Sequence, residues 1–126
     1  MSRRKGAAGE RQWAAELKGE GFEAHRGRQY SGGPGTPDVK SNAPMHWEVK
    51  RAEKLSLYKA MEQAGEDAKA KRDYSPPAVA HRRNGKEWVV AMYSWDFFQL
   101  LRDVRDGLVT IPDPPGDPSS PSDESA

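Results

Sequence analysis

Residues 45–51 read Met45-His46-Trp47-Glu48-Val49-Lys50-Arg51, and they alternate in character with a period of two. Successive side chains of a strand point to opposite faces of a sheet. One face receives Met45, Trp47 and Val49, the other His46, Glu48 and Lys50. The first face can pack against a helix. On the second, Glu48 and Lys50 stand side by side, ~7 Å apart at the backbone by strand rise.

The flanking residues extend this strand into a sheet. Residues 38–40 predict a shorter strand before it, with a turn at Asn42 to Pro44, and residues 22–28 predict another. Residues 29–37, Gln-Tyr-Ser-Gly-Gly-Pro-Gly-Thr-Pro, read as a flexible loop. A first helix is expected over residues 7–20, with Trp13, Ala14 and Leu17 facing inward and Gly19 or Gly21 ending it. A second runs from Leu57 to about Arg72 with Ser56 as N-cap and Leu57, Ala60, Met61, Ala64 and Ala68 as its inward stripe. Residues 77–82 and 86–93 read as a hairpin about Asn84-Gly85, a type I′ turn signal. Ser94 then caps a third helix with Phe97, Leu100, Leu101, Val104 and Leu108 along one side. The order α-β-β-β-α-β-β-α predicts an α/β fold, a single mixed β-sheet flanked by helices.

Composition narrows the classes. The 126 residues suit one domain. With no cysteine, disulfides, thiolate catalysis and cysteine-based zinc sites are excluded. No apolar run approaches the ~20 residues needed to span a bilayer. The basic start Met1-Ser2-Arg3-Arg4-Lys5 is followed by no apolar run, so no signal peptide is expected and the simplest location is the cytoplasm. Residues 112–126 hold four of the 19 acids, none of the 20 bases and five of the ten prolines. They read as a disordered acidic tail. Residues 1–111 keep 20 basic and 15 acidic residues, a net +5, and form the expected folded domain. That excess fits either ordinary solubility or contact with a polyanion.

Two acids can meet Lys50. A short hairpin between Asp38 and Glu48 brings both carboxylates to one place. Facing carboxylates repel unless a cation sits between them. Mg²⁺ prefers oxygen ligands and keeps several waters, so Asp38, Glu48 and the backbone carbonyl of Val49 would supply part of its shell. Lys50 would then orient a water or a phosphate, the parts that metal-assisted phosphodiester hydrolysis requires. Glu10 falls on the inward stripe of the first helix, where a charge is out of place. It could reach a metal-bound water or a second ion, or pair with Lys50 as a structural ion pair.

Pro37-Asp38 followed by Glu48-Val49-Lys50 resembles the signature of the PD-(D/E)XK nucleases. Glu10 and Gln63, in Glu62-Gln63-Ala64, add to the likeness. The segment Arg26-Gly27-Arg28-Gln29-Tyr30-Ser31-Gly32-Gly33 is similar to the archaeal-type and phage-encoded Holliday junction resolvase-like branch. The resemblance covers roughly residues 5–105. It implies a Mg²⁺-dependent DNA endonuclease, with Mn²⁺ as a substitute, on an αβββαβ restriction-endonuclease-like core, often a homodimer. It implies Asp38 and Glu48 as metal ligands, Lys50 as the catalytic lysine, Glu10 as the helix acid and Gln63 as an auxiliary polar residue. It also implies a cut that leaves a 5′-phosphate.

Other readings stand beside this one. His25, His46 and His81 lack metal-ligand spacing and read as surface or packed histidines, although His46 shares the Glu48 face. Ser31 has no paired His and Asp, and the glycines of its loop lack the lysine and hydroxyl of a P-loop. Arg26, Arg28, Arg51, Lys54, Arg82, Arg83 and Lys86 are candidates for DNA phosphate contact, which gives affinity without sequence information. A four-way junction has twofold symmetry, so two matched cuts imply a homodimer, with the last hairpin and third helix as its contacts. The rivals are a nickase or a restriction- or repair-type nuclease on the same core, and a non-catalytic nucleic-acid-binding protein.

Overall fold

A computed structural model describes residues 3–27 and 37–108. Arg28, residues 29–36 of the glycine-rich loop and the tail 112–126 lie outside the described residues. Helix α1 (Arg3–Gly19) buries Trp13, Ala14 and Leu17. Its end follows from two reversed hydrogen bonds: Phe22 N–H donates to the Leu17 carbonyl and Gly21 N–H to that of Lys18. Gly21 takes the left-handed φ of 97° that this closure needs. Because Phe22 is used to close the helix, the strand expected from residue 22 shrinks to β1 (Ala24–Arg26).

Strands β2 (Val39–Ser41), β3 (His46–Arg51), β4 (Pro77–Arg82) and β5 (Val89–Met92) complete one five-stranded sheet in the order β1-β2-β3-β4-β5. Neighbours are antiparallel except β3 and β4, which run parallel because helix α2 (Leu57–Ala70) crosses over between them. The sheet is therefore mixed, as the element order predicts. Helix α3 (Ser94–Arg105) follows β5.

Strand alternation sorts the core into two layers. Trp47 and Val49 face α1 and join Trp13, Val39, Ala78, Ala80 and Trp88. Trp13 meets Trp47 edge-on at 5.1 Å between ring centroids and lies 5.0 Å from Trp88. On the opposite face, Val79 packs with Ala60 and Met61 of α2. The α2 side of β3 carries His46, Glu48 and Lys50.

Three local expectations need correction. Asn84-Gly85 does not form a type I′ turn: Gly85 has φ 72°, but Asn84 is not among the residues with positive φ. Asn84 is held from outside the turn, its N–H by Glu53 and its side-chain oxygen by Arg51. Ser56 precedes α2 as expected but makes no side-chain cap. Tyr93, not Ser94, occupies the cap position of α3. The apolar side of α3 buries none of its residues, and Phe97, Leu101 and Val104 remain exposed together with Leu108 beyond its end.

Candidate active site

Asp38 sits where β2 begins, fixed at three points. Its N–H donates to the Trp47 carbonyl at 2.9 Å, and its own carbonyl accepts from Gly27 N–H at 3.0 Å. Its Oδ2 accepts from Val49 N–H at 2.9 Å, replacing a ladder bond where β2 gives out. A residue's N–H and C=O point to the same edge of a strand. The Val49 carbonyl therefore opens on the Asp38 side.

Glu48 stands on the neighbouring strand and, like Asp38, is almost wholly buried, at 2% and 3% exposure. Lys50 Nζ lies 3.3 Å from Glu48 Oε2 and donates a long hydrogen bond to Gln63 Oε1 at 3.5 Å. Burial, and then the facing charge of Asp38, pushes the Glu48 carboxyl up from 4.5 to about 7, against the pull of Lys50. Asp67 adds a smaller push. It lies four residues after Gln63 on the same face of α2; that i,i+4 spacing was the signal for it in the sequence, where only Gln63 stood out.

Lys50 thus stands between Glu48 and Gln63, and the Asp38 charge reaches the Glu48 carboxyl. Glu10 is buried, as its place on the apolar stripe implies, but its Oε1 accepts from Arg26 Nε at 3.0 Å. Its partner is a β1 arginine rather than Lys50. Among the described residues no three His, Asp or Glu side chains gather into a ligand set. The protein donors at the site are two carboxylates and the Val49 carbonyl. They are hard oxygen ligands that leave room for water, a set that suits Mg²⁺ or Mn²⁺. Burial raises Glu48 most, and the added push from Asp38 is one that a bound dication would offset.

His46, wholly buried two residues before Glu48, donates from Nδ1 to Asp73 Oδ2 at 2.8 Å. Burial alone would raise the Asp73 carboxyl, but hydrogen bonds from His46 and Ser75 outweigh it and hold the group below its ordinary range. His46 is therefore a packed histidine tied to the turn after α2. A hollow of about 390 Å³ opens between β2 and that turn, lined in part by Pro37, Lys40, Lys71 and Asp73 but not by Asp38. Lys40 and Lys71 escaped sequence reasoning because only the fold makes them neighbours.

The basic candidates divide by what they touch. Arg26 is occupied by Glu10, and Arg82 Nε donates to the Lys86 carbonyl at 2.6 Å. All three nitrogens of the Arg51 guanidinium donate within the protein. Lys54, Arg83 and Lys86 are exposed. Arg28 lies outside the described residues. Among those residues no helix is long and apolar enough to cross a membrane.

The model of the archaeal Holliday junction resolvase (hjc) family matches residues 1–113. The 1.6 Å structure of Archaeoglobus fulgidus Hjc, a Holliday junction resolvase from an archaeal hyperthermophile, is similar with a TM-score of 0.49 and 27% identity. That match covers 66% of this chain and 72% of that one. No curated protein matches the chain.

Proposed function

The chain belongs to the archaeal Holliday junction resolvase family, and on that premise we propose that it is a metal-dependent endonuclease hydrolysing DNA strands at four-way junctions. The observation that carries this reading is the buried pair Asp38 and Glu48 with one ammonium group, Lys50, beside it. Asp38, Glu48 and the Val49 carbonyl would hold Mg²⁺, with Mn²⁺ able to replace it. When bound, such an ion supplies positive charge to the scissile phosphate and makes water more acidic.

The chain's own residues do the rest. Val49 N–H fixes one oxygen of Asp38, so the carboxylate cannot swing away. Glu48 and Gln63 aim the Lys50 ammonium, which donates hydrogen bonds to the attacking water or to a non-bridging phosphate oxygen. Glu10 orients Arg26, whose neighbour Gly27 anchors the Asp38 backbone. Lys54, Arg83 and Lys86 contact phosphates of the junction arms. Two matched cuts require two sites, and we assign the exposed apolar side of α3 and the β5 edge to the contact between two copies.

Asp38→Asn, Glu48→Gln and Lys50→Ala should each slow Mg²⁺-dependent cleavage of a four-way junction by about a hundredfold or more, ~3 kcal/mol of barrier. Junction binding in EDTA should survive in all three. Cleavage retained by any one of them removes that residue from the mechanism. A wild-type protein that binds junctions without cutting them in Mg²⁺ or Mn²⁺ removes the enzyme.

A further inference from the structure

Arg51 follows Lys50 by one residue and therefore faces the other side of the sheet, toward α1. Its side chain is a hub. Nε donates to Gln12 Oε1 of α1 at 3.0 Å, Nη1 to the Arg82 carbonyl at 2.9 Å and Nη2 to Asn84 Oδ1 at 3.0 Å. The Asn84 N–H in turn donates to Glu53 Oε2 at 2.7 Å. Beside them His81 Nε2 donates to the Ala52 carbonyl at 2.8 Å. A Cβ on Gly9 would lie 2.5 Å from Arg51 Cγ, so α1 presses directly on the stem of this arginine. One side chain thus ties α1 and the end of β3 to the β4–β5 turn, and Glu53 grips the same turn from the segment before α2.

That turn carries Arg83 and Lys86, both exposed. It lies at the end of β3 that bears Glu48 and Lys50, since Arg51 and Arg82 are register partners. A hairpin tip is ordinarily among the most mobile parts of a fold, and ordering it on binding costs affinity. Here it is ordered beforehand. Arg51 could reach a phosphate only by abandoning three internal bonds.

We propose that Arg51 and Glu53 are positioning residues that clamp Asn84 and hold the β4–β5 turn so that Arg83 and Lys86 meet the DNA backbone beside the acid pair. The proposal rests on the reading of this chain as a junction nuclease. It reverses what charge alone predicts for Glu53 and changes the route by which Arg51 acts. A solvated acid near DNA repels it, so removing Glu53 should tighten binding. As part of the clamp, Glu53 strengthens binding instead, and Arg51 acts through the turn rather than through a phosphate.

The test is binding of a labelled four-way junction in EDTA by fluorescence anisotropy across a salt series. Circular dichroism and melting confirm that each variant folds. Arg83→Ala with Lys86→Ala should lower the salt slope by about 1.8, two phosphate contacts at ~0.9 each. Arg51→Ala and Glu53→Ala should each weaken binding and lower the slope in the same sense. Neither should weaken it further in the Arg83→Ala, Lys86→Ala background, because nothing is left to position. Glu53→Gln keeps an acceptor for Asn84 and should bind like the wild type. If Arg51→Ala cannot be purified folded, the two Glu53 variants decide alone.

The clamp is overturned if Glu53→Ala binds as well as or better than the wild type, or if the Arg51 loss adds to that of the turn pair with a further drop in slope. It is also overturned if the turn pair has no effect. These outcomes are read as ratios to a wild type that binds and cuts. A wild type that does neither ends the nuclease reading, and the clamp with it.

Discussion

Replacing Glu48 by glutamine should stabilise the metal-free protein at pH 8 and leave its stability unchanged near pH 4. The Glu48 carboxyl is pushed from 4.5 to about 7, first by burial and then by Asp38, with Lys50 pulling the other way. The folded state therefore holds this proton more tightly than the unfolded chain does. Between pH 4.5 and 7 the folded state binds more protons, so stability falls as pH rises through that window, and the full penalty stands above it. At ~1.4 kcal/mol per pH unit the displacement amounts to about 3 kcal/mol. Glutamine resembles the protonated acid and escapes that penalty. For a domain of this size the gain corresponds to roughly 10 °C in melting temperature. Thermal and urea unfolding of both proteins in EDTA, at pH 4, 6 and 8, would measure it. Equal stabilities at pH 8, or a gain of the same size at every pH, would refute the reasoning. Excess Mg²⁺ should then reverse the ranking: an ion held by Glu48 stabilises the wild type by mass action and not the variant.

Arg72 closes α2 in the left-handed region at φ 53°, the position glycines fill after α1 and α3. Arg72→Gly should therefore raise stability by about 0.5–1 kcal/mol in urea unfolding, and a lower midpoint would show that the arginine compensates its strain. Leu101 lies on the exposed apolar side of α3, and a twofold contact would bury it twice. Leu101→Glu should then weaken self-association by about a hundredfold or more, at ~1.5–3 kcal/mol per buried side chain. Light scattering checks this, and a wild type of 14.0 kDa at high concentration removes the dimer.

Residues whose partners lie within an element or its pattern were legible. The alternation in 46–51 placed Trp47 and Val49 against α1 and Glu48 and Lys50 on the opposite face, because strand geometry alone dictates it. Helical periodicity likewise marked Glu10 as buried. Periodicity does not say which cation a buried carboxylate meets, and the sheet supplied Arg26 where Lys50 was considered. Asn84-Gly85 has the composition of a two-residue turn. Glu53 and Arg51 hold the asparagine instead, so tertiary hydrogen bonds outweighed the local preference. Arg51 was a plausible phosphate contact by charge, because nothing in a linear sequence shows that Gln12, Arg82 and Asn84 converge on one guanidinium.

Two buried acidic groups in this fold are treated in opposite ways, and the contrast separates structure from chemistry. Glu10 meets Arg26 at 3.0 Å, one charge against one, and needs nothing more. Glu48 meets the Lys50 ammonium at 3.3 Å, yet the charges of Asp38 and Asp67 still act on it. Crowding buried carboxylates together is costly unless positive charge offsets them. Three hydrogen bonds to neighbouring backbone nevertheless hold Asp38 near the second acid, so the strands themselves fix the arrangement. That arrangement is where the proposed dication would bind. The pH dependence expected of Glu48 and the metal dependence proposed for cleavage both rest on that arrangement.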